Sequence, residues 1–212
     1  PGNPNCFTVT ATKANITAHG VPNGMQIDHP ATNGKTDAML LVTQNWSRVY
    51  NDASQLVTYA KGKWSISNNG YMAYWSGETT DTRGLMPEGA RFNVMVIENG
   101  QIPGFPNAQA FLHTAKKDNI TNPHITFLNQ PGLSGNREAI LFATAYWGHA
   151  DADRKNPNQA GGPYNEGPLV AWFDHPNDPW KYRDNAWSLY NGNSARMQEG
   201  AKMFVVAVNA NA

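Results

Sequence analysis

The sequence predicts an all-β protein of two pseudo-symmetric repeat halves packed as a sandwich-like unit, with little or no helix. Three observations predict it. The chain repeats itself once along its length: "FTVTATKANIT" (Phe7 to Thr17) returns as "FLHTAKKDNIT" (Phe111 to Thr121). Its apolar residues alternate with polar ones or come in short runs bounded by Gly, Pro and Asn, which is strand patterning. Its charged content is 15%, well under the roughly 25% of an average domain, and turn-forming residues fill the deficit.

The elements follow in order. Phe7, Val9 and Ala11 alternate with Thr8, Thr10 and Thr12, as in a half-buried strand. "DAMLLVTQNW" (Asp37 to Trp46) carries a buried-strand run and matches "EAILFATAYW" (Glu138 to Trp147). Tyr50 and Asn51 match Tyr164 and Asn165, and "LVTY" from Leu56 matches "LVAW" from Leu169. Trp64 and Ile66 alternate with Ser65 and Ser67, and this segment matches the one around Trp187. "MPEGARFNVMVI" (Met86 to Ile97) closes the first half and matches "MQEGAKMFVVAV" (Met197 to Val208). The first repeat is placed at residues 6–98 and the second at 110–209, with a Gly/Pro-bearing linker at 99–109. One compact unit with pseudo-two-fold symmetry is expected. The only helical suggestion is a short turn within "NSARMQEGAKMF".

Net charge is zero and no basic patch stands out, so nucleic acid and anionic membranes are poor partners. No run approaches the roughly 20 apolar residues of an integral membrane segment. The chain begins at Pro1 without a charged and apolar leader, and reads as a trimmed, secreted or cell-surface product. The single Cys6 leaves no internal disulfide; it pairs between chains or serves as a small buried hydrophobe in the first strand.

A duplicated scaffold keeps in both copies what folding needs. Trp46/Trp147, Trp64/Trp187, Met86/Met197 and the Glu-Gly-Ala corners are kept and read as core and turns. None of the six histidines is kept. His113 stands where the first copy has Val9, on the face shared by Phe111 and Ala115, so it points inward. A neutral imidazole there needs a hydrogen-bond partner or a metal. Two loop insertions also break the symmetry, at about 70–85 and 148–162. In the second, Asp151, Asp153, Asn156 and Asn158 offer oxygen ligands to calcium, without the glycine and closing glutamate of the twelve-residue signature; a solvated loop is the plainer reading.

The sequence has no GxSxG, no HExxH, no phosphate loop and no zinc spacing, which points away from an enzyme. The aromatic residues Trp172, Trp180, Tyr182, Trp187 and Tyr190 offer rings to a glycan, or fill the core.

The pattern Phe111-Leu112-His113-Thr114-Ala115, with Ala38 to Trp46, Lys63-Trp64 and Met86 to Val94, resembles a repeat of secreted bacterial proteins. Among these are the copper-binding surface proteins of methane-oxidising bacteria, of the MopE/CorA type. The resemblance implies a secreted protein with a mononuclear copper site (Cu+ or Cu2+), two histidine ligands and a tryptophan oxidised to kynurenine. Carried over, His113 is one ligand and Trp64 the modified residue. The W-x-H pattern puts the second histidine at position 66, where this chain has Ile66; His124, His19 and the thioether of Met72 are the candidates to replace it. The expected function is therefore a surface-associated copper-binding protein. The alternative is a non-catalytic extracellular binding or structural module, glycan-binding or self-associating, without metal.

Overall fold

The computed structural model describes residues 3–69, 84–100, 102, 105–150, 163, 165, 167–175, 177 and 183–209. The described chain is almost wholly β. The first half supplies β1 (Cys6–Thr10), α1 (Lys13–His19), β2 (Gly24–Gln26), β3 (Met39–Asn45), β4 (Gln55–Ala60), β5 (Lys63–Asn68) and β6 (Arg91–Ile97). The second supplies β7 (Ala108–Thr114), β8 (Ile120–Thr121), β9 (Ile125–Phe127), β10 (Ile140–Ala150), β11 (Leu169–Asp174), β12 (Ala186–Asn191) and β13 (Lys202–Val208). No helix among the described residues is long and apolar enough to cross a membrane.

The repeat is visible strand by strand. In the first half, β1-β6-β3 faces β2-β5-β4; in the second, β7-β13-β10 faces β11-β12-β9, with β8 added at the edge. Each pair buries its inward alternation as one sandwich core. Leu40, Val57, Trp64, Ile66, Phe92 and Val94 fill the first. Leu128, Leu133, Leu189, Met197, Met203 and Val205 fill the second. Inner polar groups repeat as well. Trp64 Nε1 donates to the Lys35 carbonyl at 2.9 Å, and Trp187 Nε1 to the Asn136 carbonyl at 2.8 Å. The buried Asn51 and Asn68 exchange amide bonds at 3.0 and 2.8 Å, and Asn165 and Asn191 do the same at 2.9 Å both ways. Buried amides persist only when paired in this way.

The two sandwiches join edge to edge. β4 pairs in parallel with β10, Leu56 against Ala145 and Val57 against Tyr146, with a bulge before His149 pairs with Tyr59. One six-stranded sheet, β2-β5-β4-β10-β13-β7, therefore runs through both halves. The joint corrects the expected two-fold. By sequence the equivalents of β4 and β10 are β11 and β3, and a two-fold would pair those two strands in turn. β11 pairs with β12 and β3 with β6. The backbone pairing between the halves is thus through non-equivalent strands, although the equivalent strands β3 and β10 also touch, Val42 N–H donating to Thr144 Oγ1 at 3.1 Å.

Tyr146 and Phe204, from the second half, lie in the first core against Trp64, with ring centroids 5.7 and 5.9 Å from it. Their first-half counterparts are Asn45 and Asn93, on the outer face of β3 and β6. Tyr146 and Phe204 are buried by the neighbouring half and are aromatic; Asn45 and the exposed Asn93 are amide, while further along the same outer face Met39, Leu41, Met95 and Ile97 pack against β7 and β13. Terminal repeats of stacked proteins likewise carry polar outer faces where nothing stacks on them.

Local departures from expectation have identifiable causes. The strand starting at Phe7 stops at Thr10, and a helix follows. Thr12 caps it: Asn15 N–H donates to Thr12 Oγ1 at 3.3 Å, Thr12 N–H to Asn15 Oδ1 at 2.8 Å, and Gly20 ends it at φ 86°. In the second copy Lys116 replaces Thr12 and has no oxygen to accept with, so Asn119 braces a turn instead, accepting from Lys116 N at 2.7 Å. The helical turn expected within "NSARMQEGAKMF" is absent; that segment is a turn leading into β13. β7 begins at Ala108, inside the expected linker. Cys6 is exposed on edge strand β1, which overturns its reading as a buried hydrophobe.

Candidate functional site

His113 is buried, as the face it shares with Phe111 requires, and only 8% of it is exposed. It lies opposite Met203 on β13. Its Nε2 is 2.8 Å from Thr126 Oγ1, and that hydroxyl lies 2.9 Å from Asn119 Oδ1. An amide oxygen only accepts, so Thr126 donates to Asn119 and receives the Nε2 proton of His113. The imidazole is neutral, with its lone pair on Nδ1. Burial, reinforced by the nearby Lys116 charge, lowers its pKa to about 4.

Thr126 is the partner that sequence reasoning missed. A signal existed: the match of "DHP" with "NQP" sets Thr126 against Met25, so the apolar pair Val9 and Met25 of the first half becomes His113 and Thr126 in the second. Asn119 keeps the task of its twin. Asn15 Nδ2 donates to the Thr10 carbonyl at 2.9 Å and Asn119 Nδ2 to the Thr114 carbonyl at 3.0 Å; only Asn119 also accepts a hydroxyl.

Trp64 and His113 are not brought together. Trp64 packs against Phe204, and His113 faces Met203, the next residue along β13. Successive strand residues point to opposite faces, so Trp64 and His113 lie on opposite sides of the six-stranded sheet. Trp64 is fully buried, its N–H engaged by Lys35. His124 sits in the turn before β9, its ring edge-on to Tyr190 with centroids 6.4 Å apart. His19 Nδ1 lies 2.8 Å from the Val21 carbonyl and so donates to it, leaving Nε2 to accept from Ser67 Oγ at 3.2 Å. Burial lowers the His19 pKa; the Val21 bond opposes this and Lys61 adds to it. Met72 and the calcium candidates Asp151, Asp153, Asn156 and Asn158 lie outside the described residues. Among the described residues no group of three or more His, Cys, Asp or Glu side chains is placed to hold a metal.

The surface offers something different. Trp46, expected in the core, is 66% exposed, and Tyr50 is 71% exposed. Their rings meet edge-to-face with centroids 6.4 Å apart. The segment that carries them is anchored: Ser47 Oγ donates to the Gly89 carbonyl at 2.9 Å, Val49 packs on the first core, and Asn51 is buried in its amide pair. Trp147, the twin of Trp46, is half-buried. Of the aromatic residues suggested for glycan stacking in the second half, Trp172, Trp187 and Tyr190 are half-buried, and Trp180 and Tyr182 lie outside the described residues.

Neither the curated proteins nor the solved structures contain a match to this chain. One family matches it twice, over residues 1–74 and 71–208. The chain belongs to that family, which is described as a domain of unknown function, DUF7452.

Proposed function

We propose that this protein is a non-catalytic, extracellular binding or structural module that works through its surface. The observation that carries this is the Trp46–Tyr50 pair. Two large rings stand in solvent on a segment fixed at both ends, although burying one such ring is worth about 2–3 kcal/mol. Exposed aromatic residues on a rigid support are the usual anchors of recognition. The low charge content suits an extracellular setting.

The test is a binding screen of the purified protein against polysaccharides, proteins and itself, with the Trp46→Ala/Tyr50→Ala variant alongside. The expected result is at least one interaction that the double variant loses while its thermal stability stays within about 0.5 kcal/mol of wild type, as for exposed positions generally. Binding that survives the double substitution, or no binding at all, sinks the proposal.

A second reading, a copper protein, is supported by the tautomer of His113. With Nε2–H tied to Thr126, Nδ1 is the free lone pair, and metal-bound histidines are commonly oriented by a bond from their other nitrogen. If it holds, protein purified from its source carries about one equivalent of copper, and His113→Ala abolishes uptake. Metal-free protein after copper loading ends that reading.

A further inference from the structure

We infer that the surface around Trp46 and Tyr50 binds a neutral polysaccharide, and that the exposed polar end of the outer face of the β1-β6-β3 sheet, the part not packed against β7 and β13, completes the site. This rests on the surface-module reading above and names its ligand. Across the three strands Thr8, Asn93 and Thr43 stand in one row, since Thr8 and Thr43 both pair with Asn93. All three are exposed. Asn93 organises the row: its Oδ1 accepts from Thr8 Oγ1 at 3.3 Å and from Asn45 Nδ2 at 2.8 Å, and its Nδ2 reaches Thr43 Oγ1 at 3.4 Å. Asn45 immediately precedes Trp46, so the amide row runs up to the exposed rings.

Hydroxyls and primary amides both donate and accept, and here they are held by one another in a fixed order. A sugar presents matching groups: hydroxyls around its rim and a C–H face that covers an aromatic ring. A protein partner fits less well. Recognition cores between proteins are dominated by apolar and aromatic burial, whereas this row is polar and its apolar neighbours on the same face, Leu41 and Met95, are already packed on the second half. The Thr8–Asn93–Thr43 row carries no charge, but exposed Arg91 shares its face opposite Asn45, so an acidic ligand held there would be released at high salt whereas a neutral one would not. The corresponding face of the second half buries Tyr146 and Phe204 and exposes the apolar Leu112, Ile140 and Phe142, so among the described residues it offers no equivalent polar row.

Affinity electrophoresis through gels containing single neutral polysaccharides, followed by titration of oligosaccharides from whichever retards the protein, tests this. Wild type is expected to be retarded by at least one neutral polysaccharide, with little change between low and high salt. Trp46→Ala/Tyr50→Ala should weaken binding at least tenfold, Asn93→Ala severalfold, and Trp46→Phe should retain most of it. No retardation by any neutral polysaccharide overturns the inference. So does retardation unchanged in both the aromatic and the Asn93 variants. If wild type instead binds a protein or itself, and the aromatic double variant loses that, the glycan inference falls while the surface-module reading stands.

Discussion

Replacing Trp64 with Ala is expected to cost about 3–5 kcal/mol, the upper range for emptying a buried aromatic site. Trp64 has no exposed surface, and three rings among the described residues pack on it: Tyr59 at 5.4 Å, Tyr146 at 5.7 Å and Phe204 at 5.9 Å between centroids. Its N–H bond to Lys35 would vanish with it. For a chain of this size the loss corresponds to a fall in Tm of roughly 10–15 °C. Two of the three rings belong to the second half, so the loss reaches across the β4–β10 joint. One unfolding transition, moved as a whole, is the expected calorimetric result. Two transitions, with only the first moved, would show that the joint does not couple the halves. Trp46→Ala makes the control, because Trp46 is mostly in water and should change stability by about 0.5 kcal/mol or less.

That contrast between two tryptophans marks what the sequence revealed and what it hid. Both are kept in the duplication, and self-comparison alone assigned both to the core. The strands, their order and the two-layer halves were legible because period-2 alternation and turn residues are local signals that each copy states independently. The joint was not, because a parallel pairing between strands almost ninety residues apart leaves no local signature. Its trace lay in the differences between copies: Asn45 against Tyr146 and Asn93 against Phe204 exchange amide for ring where burial changes. Helix α1 was hidden because the Thr-rich alternation of β1 runs on through Ala11 and Thr12, although Thr12 and Asn15 carry the capping pattern. The inward direction of His113 was legible from Val9. Its separation from Trp64 was not, because both occupy inward positions and sequence alone does not say into which of two cores each points.

Lowering the pH from about 6.5 to about 4 is expected to withdraw up to about 3 kcal/mol of stability through His113 alone, the shift of its pKa converted at 1.36 kcal/mol per unit. The sign follows from which state binds the proton. The unfolded imidazole takes it up near 6.5, while the buried, neutral ring in the folded protein resists until about 4. Between those values the unfolded chain holds more protons, so stability rises with pH, is complete above about 6.5, and is lost as the pH falls. His19, lowered mainly by burial, acts in the same direction. His113→Val combined with Thr126→Met rebuilds the apolar pair that the first half carries as Val9 and Met25. It strands no buried amide, because Asn119 Oδ1 keeps the Lys116 N–H at 2.7 Å and Asn119 Nδ2 keeps the Thr114 carbonyl at 3.0 Å. Replacing both partners of a buried hydrogen bond by apolar groups of suitable shape is close to neutral, so the double variant should match wild type within about 1 kcal/mol at pH 7. Urea titrations at pH 7, 5.5 and 4 should then show a smaller acid loss for the double variant than for wild type. An equal loss in the two proteins would mean that the proton responsible binds elsewhere, and that the His113–Thr126–Asn119 chain is not what makes the fold sensitive to mild acid.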